Sequence, residues 1–308
     1  MTIDELRLLD VLQDRIINLK LHIANGNPAL KKPLLLLLIL SRLEHSHSPT
    51  NEFPYAALEE PLASLIERFG GRPVTHGPKP EQPYYHLDQT LWAVHNLPAD
   101  LQVSRARTPS AKQCRTTWAS LPEDFFRLLA SSTEARHRLA DVILDNWWPD
   151  TLHDDIRARL GLEASRRELF AARATRSRDF VEAVLTNYDH RCALCGFNAR
   201  FRGSGFGVDA AHIRWHAHRG PDRLENGVAL CKLHHWGLDS GVLTIRMDHT
   251  IQISPQLSTH DVHSRRLFTE LQGSRLLSPR SRPPHHDFLN WHHVFVFRGD
   301  IFSSSAAP

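Results

Sequence analysis

The chain opens on a helical period. Ile3, Leu6, Leu9, Ile16 and Ile17 recur at the spacing of one buried helix face. "TIDE" starts that helix: Thr2 suits the N-cap and Glu5 completes a reciprocal capping box. "NGNP" at 25–28 breaks it. A second helix is expected from about Pro33, since proline is tolerated in a first turn. Its run "LLLLLIL", Leu34 to Leu40, is apolar almost all round, which predicts a place in the centre of a core. "FPYAALEEPLASLIERFGG" predicts a third helix, stopped by Gly70-Gly71.

The pattern then changes. "RPVTHGPKPEQPYYHLDQTLWAVHN" is proline-rich, with aromatic and alternating apolar positions. It predicts loop and short strands, with "YYHL" and "LWAV" as a hairpin. "PEDFFRLLASS" and "TEARHRLADVILDNWW" return to helical spacing, and "WWPD" closes a first domain over residues 1–150. Residues 151–178 read as a helical, arginine-rich connector, and residues 179–308 as a second domain. There "VDAAHI" and "GVALC" read as strands and "KLHHWGLDS" as a short helix. "SPRSRPPHHDF" is a loop before a last apolar segment, whose His292 and His293 read as packing residues. The expected class is α+β: a mostly helical N-terminal domain with a short β-hairpin, a helical linker, and a C-terminal domain of short strands and a helix.

Composition sets outer bounds. A length of 308 residues suits two domains, and 41% apolar residues can bury a sizeable core. The Leu34–Leu40 run is too short to cross a bilayer and is flanked by Lys32, Arg42 and Glu44. "MTIDELRLLD" is acidic and amphipathic, unlike a signal peptide. The expectation is a cytoplasmic protein with no membrane segment. A net charge of +3 does not by itself imply nucleic acid, but the arginines are clustered. Seven lie between Arg157 and Arg178, and Arg200, Arg202, Arg214, Arg219 and Arg223 follow. Interspersed acids leave a solvated helix with polar loops as an equal alternative.

Candidate chemistry concentrates in the second domain. Of the cysteines, Cys114 stands apart and reads as a plain buried thiol. Cys192-x-x-Cys195 and Cys231-x-x-His234 each have the spacing of a zinc knuckle. Together they offer three thiolates and one imidazole, the closed tetrahedral set of structural Zn2+. A disulfide framework is not expected in a long chain without a secretion signal. Residues 196–230 leave room for a hairpin tied at its base by the ion. Adjacent helical residues point about 100° apart, so His234 and His235 do not easily serve one ion. His234 belongs with the cysteines, and His235 turns to the other face.

His212, Asn226 and His235, in that order, resemble the HNH endonucleases, whose site is a ββα-metal fold. "LC-x-x-HH" resembles the zinc-binding branch of that family. The resemblance implies that His212 is the general base, that Asn226 fixes the loop and the base, and that His235 holds a catalytic Mg2+ or Mn2+. The residue types suit phosphodiester hydrolysis. An imidazole titrates in the useful range, a metal stabilises charge on phosphate, and asparagine hydrogen-bonds without titrating. Many family members place an aspartate metal ligand directly before the first histidine. Here that position is Ala211, as in members with an "AAHI" motif, and Asp209 is the candidate substitute. Alternation puts Asp209 on the strand face opposite His212. His216 and His218 read as loop residues near phosphate, with help in holding metal or substrate as the weaker alternative. Asp239 reads equally as a helix-capping and as a supporting residue.

"KKPLLLLLILSRL" (31–43) and "QPYYHLDQTLWAV" (82–94) resemble the sulfur-binding domain of phosphorothioate-dependent restriction endonucleases. "LSPRSRPPHHDFLNWHHVFVFRG" resembles the ending of the same family, which joins such a domain to a C-terminal HNH domain. The resemblance implies an apolar cavity with a Tyr-Pro element that accepts sulfur, and basic residues on the neighbouring phosphates. Carried over, it makes Lys31, Lys32, Arg42, Gln82, Pro83, Tyr84 and His86 DNA-binding residues, joined by Arg214 and Arg219 of the second domain. Pro83 matches the family's proline. Gln82 stands where the tyrosine is expected and His86 where a small residue is frequent, which implies a more polar pocket.

The expected protein is a modification-dependent endonuclease acting on double-stranded DNA. It is expected to be a homodimer, because one HNH site cuts one strand. The alternative is a non-catalytic DNA-binding protein on a degenerate HNH scaffold, which Ala211 favours. A non-specific toxin nuclease is a weaker alternative, because the large first domain suggests target choice.

Overall fold

A computed structural model describes residues 1–24, 27–71, 77–98, 101, 107–163 and 178–299. The chain divides into two compact units, Met1–Ala172 and Arg173–Pro308. The first unit runs α1 (Ile3–Ile17), β1 (Ile23–Ala24), β2 (Asn27–Pro28), α2 (Lys31–Glu44), β3 (Phe53–Pro54) and α3 (Tyr55–Phe69). It continues with α4 (Glu81–His86), β4 (Ala93–His95), α5 (Ala111–Cys114), β5 (Trp118–Ser120), α6 (Glu123–Ser131), α7 (Thr133–Trp147) and α8 (Asp150–Leu160).

Local chemistry explains the helix boundaries. At α1 the Glu5 N–H donates to Thr2 Oγ1 at 3.2 Å and the Thr2 N–H donates to Glu5 Oε2 at 2.7 Å, the expected reciprocal cap. The helix ends at Asn18, whose side-chain amide donates to the Asp14 carbonyl, well before "NGNP". Asn27 and Pro28 of that stretch instead form β2, which pairs antiparallel with β1, and Asn25 and Gly26 lie outside the described residues. Helix α2 starts two residues before Pro33 and buries every residue from Pro33 to Leu40. It is the central helix, packed by α3, α4, α6, α7 and α8.

Helix α3 contains Pro61, which has no N–H to give to the Ala57 carbonyl one turn back. Arg42 fills that gap: its Nη2 donates to Ala57 O at 2.7 Å. The arginine expected on a DNA phosphate therefore has a partner inside the fold. Arg42→Ala should cost about 1 kcal/mol of stability, read as a lower urea midpoint. Pro61→Ala restores the N–H donor and should abolish that cost. Equal costs in both backgrounds would show that the carbonyl bond is not the cause.

The expected 84–94 hairpin does not form. "YYH" closes α4, and Tyr84 and Tyr85 are both fully buried. Two adjacent inward side chains do not fit the period of two of a half-exposed strand. Strand β4 pairs instead with β5, which also pairs with β3, in a small antiparallel sheet of order β3-β5-β4. Trp92 Nε1–H donates to the Tyr84 carbonyl at 2.9 Å and holds α4 against this sheet.

Helix α8, at the start of the expected connector, packs into the first unit through Leu152, Ile156 and Leu160. Its Arg157 is buried and pairs with Asp141 of α7. Arg166, Arg167, Arg173 and Arg176 lie outside the described residues.

The second unit runs α9 (Arg178–Asn187), β6 (Ala199–Phe201), β7 (Ser204–Phe206), β8 (Val208–His212) and β9 (Gly227–Cys231). Then come α10 (Lys232–Asp239), β10 (Leu243–Ile245), β11 (Ile251–Ile253), α11 (Val262–Leu267) and α12 (His286–Phe295). Residues 196–230 thus hold two hairpins, β6–β7 and β8–β9. The second of these and α10 form a ββα unit around a core that includes Val184, Ala210, Ala211, Val228, Ala229 and Leu238. His292 is a packing residue: its ring lies 2.9 Å from Leu238 O and 2.8 Å from Thr244 Oγ1, and desolvation pushes its pKa down to about 4. No helix among the described residues is long and apolar enough to cross a membrane.

Candidate active site

Two hydrogen bonds tie down the loop at each end of the first cysteine pair. The Cys192 N–H donates to Phe197 O at 2.9 Å and the Gly196 N–H donates to Cys192 O at 2.8 Å. Gly196 takes a left-handed conformation (φ 73°), which turns Cys195 back toward Cys192. Cys231 ends β9 and is the N-cap of α10, so His234 falls one turn into that helix. Ligand atoms of Cys192, Cys195, Cys231 and His234 all lie within 4.8 Å of one another. Among the described residues this is the only group of three or more His, Cys, Asp or Glu within reach of one ion.

The donor set fits a tetrahedral ion such as zinc. His234 Nε2–H donates to the Leu267 carbonyl at 2.7 Å, which leaves the Nδ1 lone pair for a metal. That Nδ1 is 3.2 Å from Cys231 Sγ and 3.4 Å from Cys192 Sγ. Hydrogen bonds from Cys195 and Cys231 hold the Cys192 thiol far below the ordinary thiol range, so a thiolate is ready for the ion. Burial disfavours a charged His234, but its contacts with Cys192, Cys231 and Leu267 outweigh this and push its pKa up to about 10.

His235 lies on the other side of α10 and is 3% exposed. Its Nδ1 is 3.4 Å from Asp209 Oδ2 and its Nε2 is 3.3 Å from Asp239 Oδ2. Asp239 is buried, and its other oxygen accepts from Trp215 Nε1–H at 2.9 Å. Asp239 therefore orients the imidazole rather than merely capping the helix. Asp209 shares its strand face with Ala211, two residues along, so the carboxylate faces α10. Burial favours the neutral acid, but contacts with His235 and Lys232 outweigh it and hold the Asp209 pKa at about 2. Lys232 Nζ lies 2.6 Å from Asp209 Oδ2. Asp209 and His235 Nδ1 could offer an anionic oxygen and a nitrogen lone pair to a small divalent cation.

His212 ends β8. Its Nε2 is 2.8 Å from Asp222 Oδ1, and its ring stacks on Phe180 of α9 at 4.1 Å between centroids. Asn226 knits the loop between them. Its Oδ1 accepts from the Arg214 N–H at 2.9 Å, and its Nδ2 donates to Arg214 O at 3.1 Å and to Pro221 O at 3.0 Å. Gly220 is needed there, because a Cβ would fall 1.8 Å from Arg214 O. The sequence reading missed Asp222, Trp215 and Phe180 as partners of the histidines.

The other candidates separate by exposure. His216 and Arg219 are exposed, whereas His218 is buried against Trp215 and Phe295. Arg214 is drawn into the loop by its bond to His218 O at 2.9 Å. In the first unit Lys31 Nζ donates to Gln82 Oε1 at 2.9 Å and Lys32 Nζ donates to Lys20 O at 2.8 Å. Desolvation lowers the pKa of both lysines. His86 Nε2 lies 2.8 Å from Thr108 Oγ1. Pro83 is buried, and Tyr84 is a core residue whose hydroxyl donates to Phe53 O at 3.3 Å, so Tyr84 is not placed to touch DNA. Cys114 is buried, as expected of a plain thiol.

Two short strands, one helix and a Cys3His knuckle, with His212, Asn226 and His235 in that frame, define an α+β protein with an HNH-type domain. Residues 192–246 match the HNH endonuclease family model, and residues 9–165 match the model of the ScoMcrA-like DNA sulfur-binding domain. The chain belongs to the ScoMcrA-like sulfur-binding family and carries an HNH endonuclease domain.

Solved structures similar to it include the sulfur-binding domain of SprMcrA complexed with phosphorothioated DNA. That likeness has 20% identity and a TM-score of 0.39, over 50% of this chain and 94% of that one. The corresponding ScoMcrA domain, also complexed with phosphorothioated DNA, shows 25% identity and a TM-score of 0.39 over 48% and 97%. The modification-dependent TagI restriction endonuclease shows 23% identity and a TM-score of 0.29 over 39% and 38%. No curated protein matches the chain.

Proposed function

We propose that the protein hydrolyses phosphodiester bonds of modified double-stranded DNA, with the first unit choosing the target and the HNH site cutting it. The observation that carries this reading is the pairing of each site histidine with its own carboxylates, His212 with Asp222 and His235 with Asp209 and Asp239. Asp222 accepts the Nε2–H of His212 and so leaves the basic lone pair on Nδ1. That nitrogen takes the proton of the attacking water. Asp239 accepts the Nε2–H of His235, which frees Nδ1 to share a divalent cation with Asp209. Mg2+ or Mn2+ held there supplies charge stabilisation at the phosphate and the leaving oxygen. Asn226 keeps the loop behind His212 in place, and Zn2+ in the Cys3His cluster holds α10 to the knuckle. The ionised Asp209 on the face of Ala211 supports a cation site there although the aspartate before His212 is missing.

For the target, phosphorothioate is the modification the family match supports. Sulfur is less hydrated than the oxygen it replaces, so an apolar surface favours it by about 1–3 kcal/mol, as with other small apolar groups. Lys31 bonded to Gln82 makes this surface more polar, so the preference should fall at the lower end. Two copies acting together would cut both strands.

The test is a binding panel on one duplex sequence carrying phosphorothioate, methylated bases or neither, titrated across salt concentrations because phosphate contacts dominate raw affinity. The phosphorothioate duplex should bind roughly fivefold to tenfold tighter than the plain one at each salt concentration. Equal binding of all three would remove phosphorothioate recognition.

A further inference from the structure

The hairpin β6–β7 has no assigned role, yet it carries the most exposed aromatic side chains among the described residues of the second unit. Phe201 and Phe206 are 63% and 61% exposed. The register pairs Ala199 with Phe206 and Phe201 with Ser204. Both rings therefore rise from one face of the ribbon, each opposite a small residue, and Arg200 points to the other face. The two strands form a sheet of their own, so nothing in that sheet covers the rings. A two-stranded ribbon with an apolar face in water is marginal by itself.

This ribbon is nonetheless built firmly. Its two-residue turn puts Arg202 at φ 51° and Gly203 at φ 82°, the left-handed pair that matches strand twist. Arginine is unfavourable in that conformation, and here its guanidinium lies 5.3 Å from the Phe201 ring centroid. The base is pinned on both sides, by the Cys192 N–H to Phe197 O at 2.9 Å and the Lys232 N–H to Gly207 O at 3.1 Å. Those two donors belong to a knuckle cysteine and to the first residue of α10. Gly207 then leads directly into β8, which carries Asp209 and His212. Phe206 precedes His212 by six residues, so it lies at most about 20 Å from that histidine at strand rise.

Charge selects the partner. From residue 190 to residue 208 there is no acidic side chain, and the hairpin itself carries Arg200 and Arg202; Arg191, outside it, pairs with Asp189 at 3.0 Å. Two such tips facing each other in a homodimer would repel, whereas a polyanion with flat apolar faces between its charges complements them. We infer that the β6–β7 hairpin is a DNA wedge. Phe201 and Phe206 enter between base steps from the minor groove, and Arg200 and Arg202 hold the flanking phosphates. Partial unstacking bends the duplex toward the adjacent HNH site. This role rests on the reading of the second unit as a DNA-cleaving domain, and it names how that domain grips and deforms its substrate.

The experiment uses the full chain with His212→Ala, so that bound duplex stays uncut, and a plain duplex with one 2-aminopurine. The parent should raise 2-aminopurine fluorescence on binding. Adding Phe201→Ala and Phe206→Ala should abolish the rise and weaken binding on the order of tenfold or more, with zinc content unchanged. The salt slope should stay the same, because no phosphate contact is lost. Arg200→Gln with Arg202→Gln should instead flatten the salt slope. An unchanged rise and affinity in the double phenylalanine variant would overturn the wedge. So would conversion of a dimeric parent to a monomer by those two changes, seen in sedimentation, since the face would then be a self-association patch. A wild-type protein that binds and unstacks DNA but never cuts it would instead overturn the nuclease reading alone.

Discussion

Cys195→Ser should cost the second unit its bound zinc and its fold together. Cys195 is the exposed member of the quartet, so its replacement removes no packing and tests ligation itself. A structural zinc supplies on the order of 10–16 kcal/mol of apparent binding energy in finger-sized domains. That is comparable to the whole stability of a typical domain. The quartet also joins distant parts of the chain: the 192–195 turn, the end of β9, and α10. Without the ion, a thiolate and a charged His234 are left buried among apolar groups, which is unfavourable. The measurement is zinc content together with near-ultraviolet circular dichroism. A soluble, zinc-free variant with native tertiary signal would remove the structural role. The same site predicts a direction with pH. With His234 titrating at about 10 in the absence of metal, zinc competes with a proton at Nδ1 at neutral pH. Zinc affinity should therefore fall as pH falls, and chelators should strip the ion more readily in acid.

His212→Ala should lower cleavage by about 10²–10⁴-fold and leave duplex affinity and zinc content unchanged. The imidazole sits at the end of β8, stacked on Phe180 and bonded to Asp222, and it is not a member of the zinc quartet. Its loss therefore removes a proton acceptor without opening the core. Asp222→Asn should give a smaller loss, because the ring keeps its stacking partner but loses the carboxylate that fixes its tautomer. An Asp222→Asn protein with the parent's rate and pH profile would show that the carboxylate does not matter. Full activity in His212→Ala would displace His212 from the chemistry.

The adjacent histidines of α10 show what a sequence can and cannot reveal. Their different directions follow from helix geometry alone, and the structure places His234 among the cysteines and His235 between Asp209 and Asp239. The zinc quartet and the ββα order were legible because short, fixed spacings carry them. Asp222 was not legible as a partner of His212. The two meet only after Asn226 has folded the loop between them, and that contact has no local periodicity. The bond of Arg42 into the fold was hidden for a related reason. Its partner, the Ala57 carbonyl, is vacant only because Pro61 stands four residues later in another helix. The 84–94 hairpin failed because aromatic side chains suit strands and buried short helices alike. Tyr84 and Tyr85 were drawn inward by tertiary contacts with Phe53 and Leu101. Alternation put Asp209 on the face opposite His212, and that face, shared with Ala211, is the one that meets His235.

The most direct test of the whole account is cleavage of one duplex, prepared with and without a phosphorothioate linkage, by the full chain in Mn2+. The account predicts that the phosphorothioate duplex is cut, that the plain duplex is cut more slowly at equal concentration, and that chelator or His212→Ala stops both. Binding without cleavage of either duplex under any divalent ion would contradict it and leave a DNA-binding protein on an HNH scaffold.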